Sequence, residues 1–257
     1  MDLGITGRTA LVAASTSGLG RAVAEALAAE GARVVVTGRR GEAAREIAAR
    51  LPEAIGVEAD LAAPDGPRLM AEAARSAYGD PDILVLNGPG PRPGRAADIT
   101  HDEVSGALET LVLAQQRLTA LVLPAMRARG WGRILAIGSS GIAAPLPDLA
   151  LSNLGRAATA AYLKTLAAEV AADGVTVNLL LPGRIATDRV AGLDRAKAAR
   201  EDRSREDVEA ESRAAIPAGR YGAPAEFGAA AAFLCSAPAS YVTGTALRCD
   251  GGLVRGL

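Results

Sequence analysis

Aromatic residues are nearly missing from this chain: Phe, Trp and Tyr make up 3% of its 257 residues, although 49% of the residues are apolar. A core built around rings is therefore excluded. The interior has to come from Ala, Val, Leu and Ile, with helices packed closely through alanine. Cysteine is scarce too. Cys235 and Cys249 have no metal-ligand spacing and cannot form a disulfide framework, so a reducing compartment is expected. Net charge is almost absent, since 28 basic residues face 29 acidic ones for a balance of −1. That leaves no electrostatic footprint for nucleic acid or an anionic membrane. No apolar run is long enough to span a bilayer. The start, MDLGITGRTALVAAS, lacks the basic and apolar regions of a secretory signal. These absences lead to the expectation of a cytoplasmic protein with a small-molecule substrate and with no metal, nucleic-acid or membrane partner.

What is present is a strict alternation. Short β-branched and leucine runs at 9–15, 33–38, 54–60, 82–87, 132–139 and 174–183 are separated by alanine-rich helical stretches. Strands that are apolar throughout are buried on both faces, which means a parallel sheet covered by helices. Right-handed crossovers then wind it both ways. The expectation is an α/β fold: one Rossmann-type domain over 1–257, a doubly wound parallel sheet of about seven strands with helices on both faces. Thr100 to Glu103 reads as a capping box opening a helix. Residues 189–215 break the alternation with a charged, alanine-rich run. The stretch reads either as a solvated pair of helices or as a lid; an insertion beyond a strand's C-terminal end lies where ligands bind, so a helical substrate lid is expected.

The turn after the first strand reads Ser15-Thr16-Ser17-Gly18-Leu19-Gly20 and opens a helix. Free N–H groups and the helix dipole make such a turn an anion site, and small residues let a pyrophosphate approach. Arg39 and Arg40 follow the second strand. An acidic residue there would hold the ribose hydroxyls of NAD, whereas an arginine pairs with the 2′-phosphate of NADP. NADP(H) is therefore favoured over NAD(H).

Over essentially its whole length the chain resembles a classical short-chain dehydrogenase/reductase. The family's T-G-x-x-x-G-x-G loop is matched by Ala13 to Gly20, with alanine at the first two positions. Asp60-Leu61, where that family meets adenine, follows the third strand. Asn87-Gly88-Pro89-Gly90 is similar to its N-N-A-G, with Leu86 for the first Asn. Pro182, Gly183 and Thr187 match P-G-x-x-x-T, a segment that in the family meets the nicotinamide carboxamide, here through the Ile185 backbone and the Thr187 hydroxyl. YVTGTALRCDGGL is similar to its closing strand. The resemblance implies a cofactor site made from Ser15, Thr16, Ser17, Gly18, Leu19, Gly20, Arg39, Arg40, Asp60, Leu61, Asn87, Gly88, Arg156, Pro182, Gly183, Ile185 and Thr187. It also implies a homotetramer or homodimer, with helices near 110–129 and 150–172 at an interface.

The family's catalytic tetrad is Asn, Ser, Tyr and Lys. Counting from both flanks places those positions on Leu111, Ser139, Ser152 and Arg156, with Ser140 the neighbour if the register slips. Only the serine is retained. The implied catalytic set is therefore Ser139, Ser152 and Arg156, with no Tyr-x-x-x-Lys pair. A phenol starts near pKa 10 and can be tuned toward neutrality, which a serine hydroxyl cannot match. Arginine keeps its charge and does not shuttle protons. Ser152 and Arg156 are nonetheless four apart and share a helix face. Arg156 can take the lysine's place on the ribose, or grip a carboxylate with two parallel bonds. Tyr162 reads as core or interface, His101 as a solvated residue of a capping turn, and Arg184 as either a substrate contact or a surface ion pair. Three readings follow, in this order. The first is an NADP(H)-dependent oxidoreductase of carbonyl or hydroxyl substrates, similar to 3-oxoacyl-carrier-protein reductase, with a non-standard active site. The second is a non-catalytic nucleotide-binding or interaction protein on the same scaffold. The third is a non-redox reaction directed by Arg156.

Overall fold

The computed structural model describes residues 2–256. Seven strands form one sheet: β1 (Thr9–Val12), β2 (Arg33–Gly38), β3 (Ala54–Glu58), β4 (Ile83–Leu86), β5 (Gly132–Ile137), β6 (Val175–Pro182) and β7 (Ala246–Cys249). Their order is β3-β2-β1-β4-β5-β6-β7, and every neighbouring pair is parallel. The chain reverses its direction of travel between β1 and β4, which is where an open sheet of this kind leaves a crevice at the strands' carboxyl ends.

Side chains alternate across the sheet. Ala10 and Val12 enter the layer beneath α1 (Gly18–Ala29), α2 (Gly41–Ala48) and α9 (Pro224–Leu234), with Leu27, Ile47 and Phe227. Leu11 and Ala13 enter the opposite layer, against α3 (Gly66–Tyr78), α5 (Ala114–Ala128) and α6 (Ala150–Val170), with Met70, Leu118 and Leu163. The scarcity of rings is met by close backbone approach: a Cβ on Gly228 of α9 would lie 2.6 Å from the Ala22 carbonyl oxygen of α1.

Two departures from the sequence pattern matter for the site. β1 ends at Val12 rather than at residue 15, because Ala14 adopts a left-handed φ of 48° and turns the chain away. The long helical stretch after β4 is not continuous. α4 (His101–Leu108) starts at Thr100 with the expected capping box and runs into a π-helical turn over Glu109–Leu113 before α5 begins. The charged run contains two helices, α7 (Asp188–Glu201) and α8 (Arg205–Ala214). Among the described residues no helix is long and apolar enough to cross a membrane.

Candidate active site

The turn between β1 and α1 leaves the start of the helix uncapped. Ser17 precedes the helix with extended backbone and no side-chain cap, and no acidic residue lies in the first turn. The first N–H groups of α1 are thus left for a ligand. Gly20 has no room for a side chain, since a Cβ there would meet the Ala14 carbonyl and Asn87 Nδ2 at 2.6 Å. Asn87, just past β4, donates from Nδ2 to the Ala14 carbonyl at 3.0 Å and so props the turn. Ser15 faces inward. Its hydroxyl donates to the Val12 carbonyl and accepts from the Thr37 N–H, so only its main chain faces the turn.

At the end of β2, Arg40 Nη2 donates to both the carbonyl and the hydroxyl of Thr16. Arg39 is exposed beside it. Two guanidiniums therefore border the turn. Asp60 is exposed at the end of β3, while the Leu61 side chain lies in the core and leaves only its backbone available. Past β6, the Gly183 N–H donates to Cys249, and a Cβ on Gly183 would collide with the Asp250 backbone. Ile185 pairs as an isolated bridge with Gly222, and Thr187 caps α7 by accepting from the Val190 N–H. Pro182 ends β6, and Gly88 follows Asn87 without regular structure.

Leu111 and Arg156 line one small cavity between the π turn, β5 and α6, while Ser139 follows β5 and Ser152 lies on the first turn of α6. The Ser139 Oγ accepts from the Gly141 N–H at 3.1 Å, which leaves its own proton free to donate. Ser140 is buried and starts a short helical turn. Ser152, on the first turn of α6, is partly buried, and its hydroxyl bonds to none of the described residues. Arg156 Nη1 donates to the Ile137 carbonyl at 2.7 Å, at the end of β5 and two residues before Ser139. Burial, reinforced by the charge of Arg189, pulls the Arg156 guanidinium down to about 10. A cavity of about 10 Å³ lies beside it, lined by Leu111, Gln115, Gly138, Ile142 and Thr159 among others. That is close to the space one water needs.

The π turn is adapted to its neighbours. Gly155 lacks the Cβ that would lie 2.6 Å from Leu111 Cδ1, and the Thr159 hydroxyl donates to the Leu111 carbonyl at 2.6 Å. A π turn frees main-chain carbonyls and is frequent at functional sites.

α7 is tied to loops of the crevice by polar contacts, and α8 is tied to α7 through Lys197 and Glu211. Arg189 Nη2 donates to the Pro91 carbonyl at 3.0 Å, in the loop after β4. Arg200 pairs with Asp148 at 3.5 Å, in the loop before α6. These two loops also meet each other through the Gly94–Leu149 bridge. Arg184 is committed elsewhere: its Nη1 donates at 2.6 Å to Asp194, a fully buried carboxylate that also accepts from the Tyr221 hydroxyl. His101 is exposed at the start of α4, and Tyr162 is partly buried, its phenol pushed up by desolvation. Sequence reasoning passed over Arg189, Gln115 and Thr159. Arg189 was hidden in a charge run, and the other two in an alanine-rich helical pattern whose register was not known.

A doubly wound parallel sheet with an uncapped helix start at its switch point defines a nucleotide-binding α/β protein. Comparison with known proteins narrows this. A family model described as enoyl-(acyl carrier protein) reductase matches residues 13–254. 3-Oxoacyl-[acyl-carrier-protein] reductase of Salmonella typhimurium is 34% identical over 250 residues, covering 96% of this chain and 97% of the relative. Dehydrogenase/reductase SDR family member 4 of Oryctolagus cuniculus is also 34% identical, covering 96% and 94%. Among solved structures, L-sorbose reductase from Gluconobacter frateurii, complexed with NADPH and L-sorbose, superposes with a TM-score of 0.93 at 32% identity over 100% of both chains. The chain belongs to the short-chain dehydrogenase/reductase family of oxidoreductases.

Proposed function

We propose that this protein is an NADP(H)-dependent oxidoreductase that interconverts a carbonyl and a hydroxyl group at a site lacking the family's tyrosine and lysine. The observation that carries the reading is the turn at Ala14–Gly20. It keeps the left-handed bend and the uncapped start of α1, with Arg40 locked against Thr16 at its edge. The donor set fits a dinucleotide phosphate: main-chain N–H groups for the pyrophosphate, and Arg39 and Arg40 for a 2′-phosphate. The NADPH held by the sorbose reductase relative supports the same cofactor. Asp60 and Leu61 would hold the adenine end, and Gly88, Pro182, Gly183, Ile185 and Thr187 the nicotinamide end.

When bound, NADPH supplies the hydride. The chain's own residues act on the other reactant. Ser139, whose oxygen already accepts from Gly141, donates its proton toward the carbonyl oxygen, and Ser152 donates beside it. Arg156 supplies a cation that holds the reactant in place beside them. Neither serine is an acid at neutral pH, so the proton that completes the alcohol comes from water. Loss of a tuned acid costs on the order of 10² to 10⁴-fold in rate, so turnover is expected to be slow. α7 and α8 close the crevice as a lid over residues 189–215. The protein works in the cytoplasm as a homotetramer or homodimer. Exposed Leu113 and Leu154 near the α5 and α6 starts, and exposed Phe233, Tyr241 and Leu247 around α9 and β7, support two contact faces.

The test is titration of NADPH fluorescence with the purified protein, followed by a ketone panel. NADPH binding tighter than NADH, lost in the Arg39→Ala/Arg40→Ala variant, with slow ketone reduction, is the expected result. NADPH binding without turnover on any ketone would favour a cofactor-sensing protein on the same scaffold. Absence of binding would refute both.

A further inference from the structure

The arginines around the crevice divide into two kinds. Arg92 pairs with Glu103, Arg184 with Asp194 and Arg200 with Asp148. Arg156 and Arg189, like Arg39 and Arg40 at the phosphate turn, have no carboxylate within ion-pair distance among the described residues; Arg156 donates only to the Ile137 carbonyl and Arg189 only to the Pro91 carbonyl. Arg156, largely withdrawn from water and further opposed by the charge of the exposed Arg189, is held by main-chain oxygen alone, without an anion. Such an arrangement is costly unless something negative completes it.

The geometry of Arg156 says what that is. Its bond to Ile137 uses Nη1, the nitrogen on the side of the side-chain stem. The opposite edge, Nε–H and Nη2–H, is the pair that grips a carboxylate with two parallel bonds. Neither atom bonds to a protein group. Among the described residues the only side-chain polar atoms both sealed from solvent and unpartnered are Arg117 Nε and Thr176 Oγ1, so the free edge of Arg156 is not sealed off, and the residue borders a small cavity. A sugar hydroxyl would fill hydrogen bonds there but cancel no charge. A carboxylate does both.

We propose that the substrate is a carbonyl compound bearing a free carboxylate, which Arg156 grips through its Nε/Nη2 edge while Arg189, from the start of α7, closes over it. This rests on the oxidoreductase reading and narrows its substrate class. It separates the protein from relatives named for acyl-carrier-protein substrates, in which the equivalent acid is tied up as a thioester. The reaction balances as one hydride to the carbonyl carbon and one proton from water to its oxygen, giving a hydroxy acid and NADP+.

The test uses the full-length protein saturated with NADP+, which permits binding of a ketone without its reduction. 2-Oxobutyrate, 3-oxobutyrate and 4-oxopentanoate are each titrated calorimetrically against their methyl esters. At least one acid is expected to bind ten-fold or more tighter than its ester. Arg156→Gln should bring that acid down to the affinity of the ester, and Arg156→Lys, which keeps the charge but not the fork, should fall between. Circular dichroism confirms that each variant is folded, and the Lys variant keeps the test alive if the Gln variant is not. Equal or better binding of every ester refutes the carboxylate site. With NADPH, reduction of the esters at the rate of the acids refutes it while leaving the reductase reading intact. Arg156-dependent binding of an acid without hydride transfer upholds the site and removes the reductase reading.

Discussion

Ala14 offers a direct measure of how far the phosphate turn is strained. Its φ of 48° lies in the left-handed region, which costs an L-residue about 1–2 kcal/mol. The turn needs that conformation whether or not a side chain is present, because the Ala14 carbonyl is fixed by Asn87 and packs on Gly20. Ala14→Gly removes the penalty. It also frees the unfolded chain, which offsets about 0.4–1 kcal/mol. The expected net effect is stabilisation of about 0–1.6 kcal/mol, which at roughly 2–4 °C per kcal/mol for a chain of this size raises Tm by up to about 6 °C. The assay is thermal unfolding by circular dichroism without cofactor, with Ala14→Val as the opposite control. A branched side chain is a worse fit at positive φ, so the Val variant should melt lower than the parent. A glycine variant that melts below the parent would refute the reasoning, because it would mean that the methyl group contributes packing that outweighs the strain.

Two further outcomes follow from particular contacts. Thr159→Val removes the hydroxyl that satisfies the Leu111 carbonyl in the π turn and should cost about 1–3 kcal/mol; an unchanged urea midpoint would show that water satisfies the carbonyl equally well. Glu226, gripped first by Arg220 and then by the Ala223 N–H, is held at about 2, well below its ordinary 4.5. A carboxylate depressed on folding stabilises above its unfolded pKa and stops doing so as pH falls toward its folded pKa. The parent and Glu226→Gln should therefore differ in Tm at pH 6 and converge between about pH 4.5 and 2; a Tm difference that persists at pH 2 would contradict this origin.

The sheet was legible because β4 is apolar without interruption and β1 is so after Thr9, which only burial on both faces explains. The capping box at Thr100 was legible for a local reason, since its partners are three residues apart. The π turn was not. Its residues, ETLVL, fit an α-helical pattern as well, and what widens the turn is contact with Gly155 and Thr159 on α6. The end of β1 was missed because a left-handed alanine leaves no mark in an apolar run. In the site, Gly18 and Gly20 announce the turn, and Arg39 and Arg40 its edge. The partners of Arg156 and Arg189 are 19 and 98 residues away, so they depend on how α6 and α7 dock, which no local pattern encodes.

That docking bears on whether the altered positions mark a decayed site. Leu111 fits against Gly155 and its carbonyl is capped by Thr159, but any folded chain has to pack its interior and satisfy its backbone, so these contacts serve stability alone. Arg156 is different. Stability does not call for a cation there: burial opposes its charge, Arg189 opposes it further, and no carboxylate answers it. A methionine of similar reach would fill the same space without the desolvation cost, as apolar replacements of buried ions often do. Arg156→Met should therefore raise Tm or leave it unchanged while abolishing the preference for an oxo acid over its ester. A variant that melts lower and binds the acid as before would mean that the guanidinium is there for the Ile137 carbonyl alone.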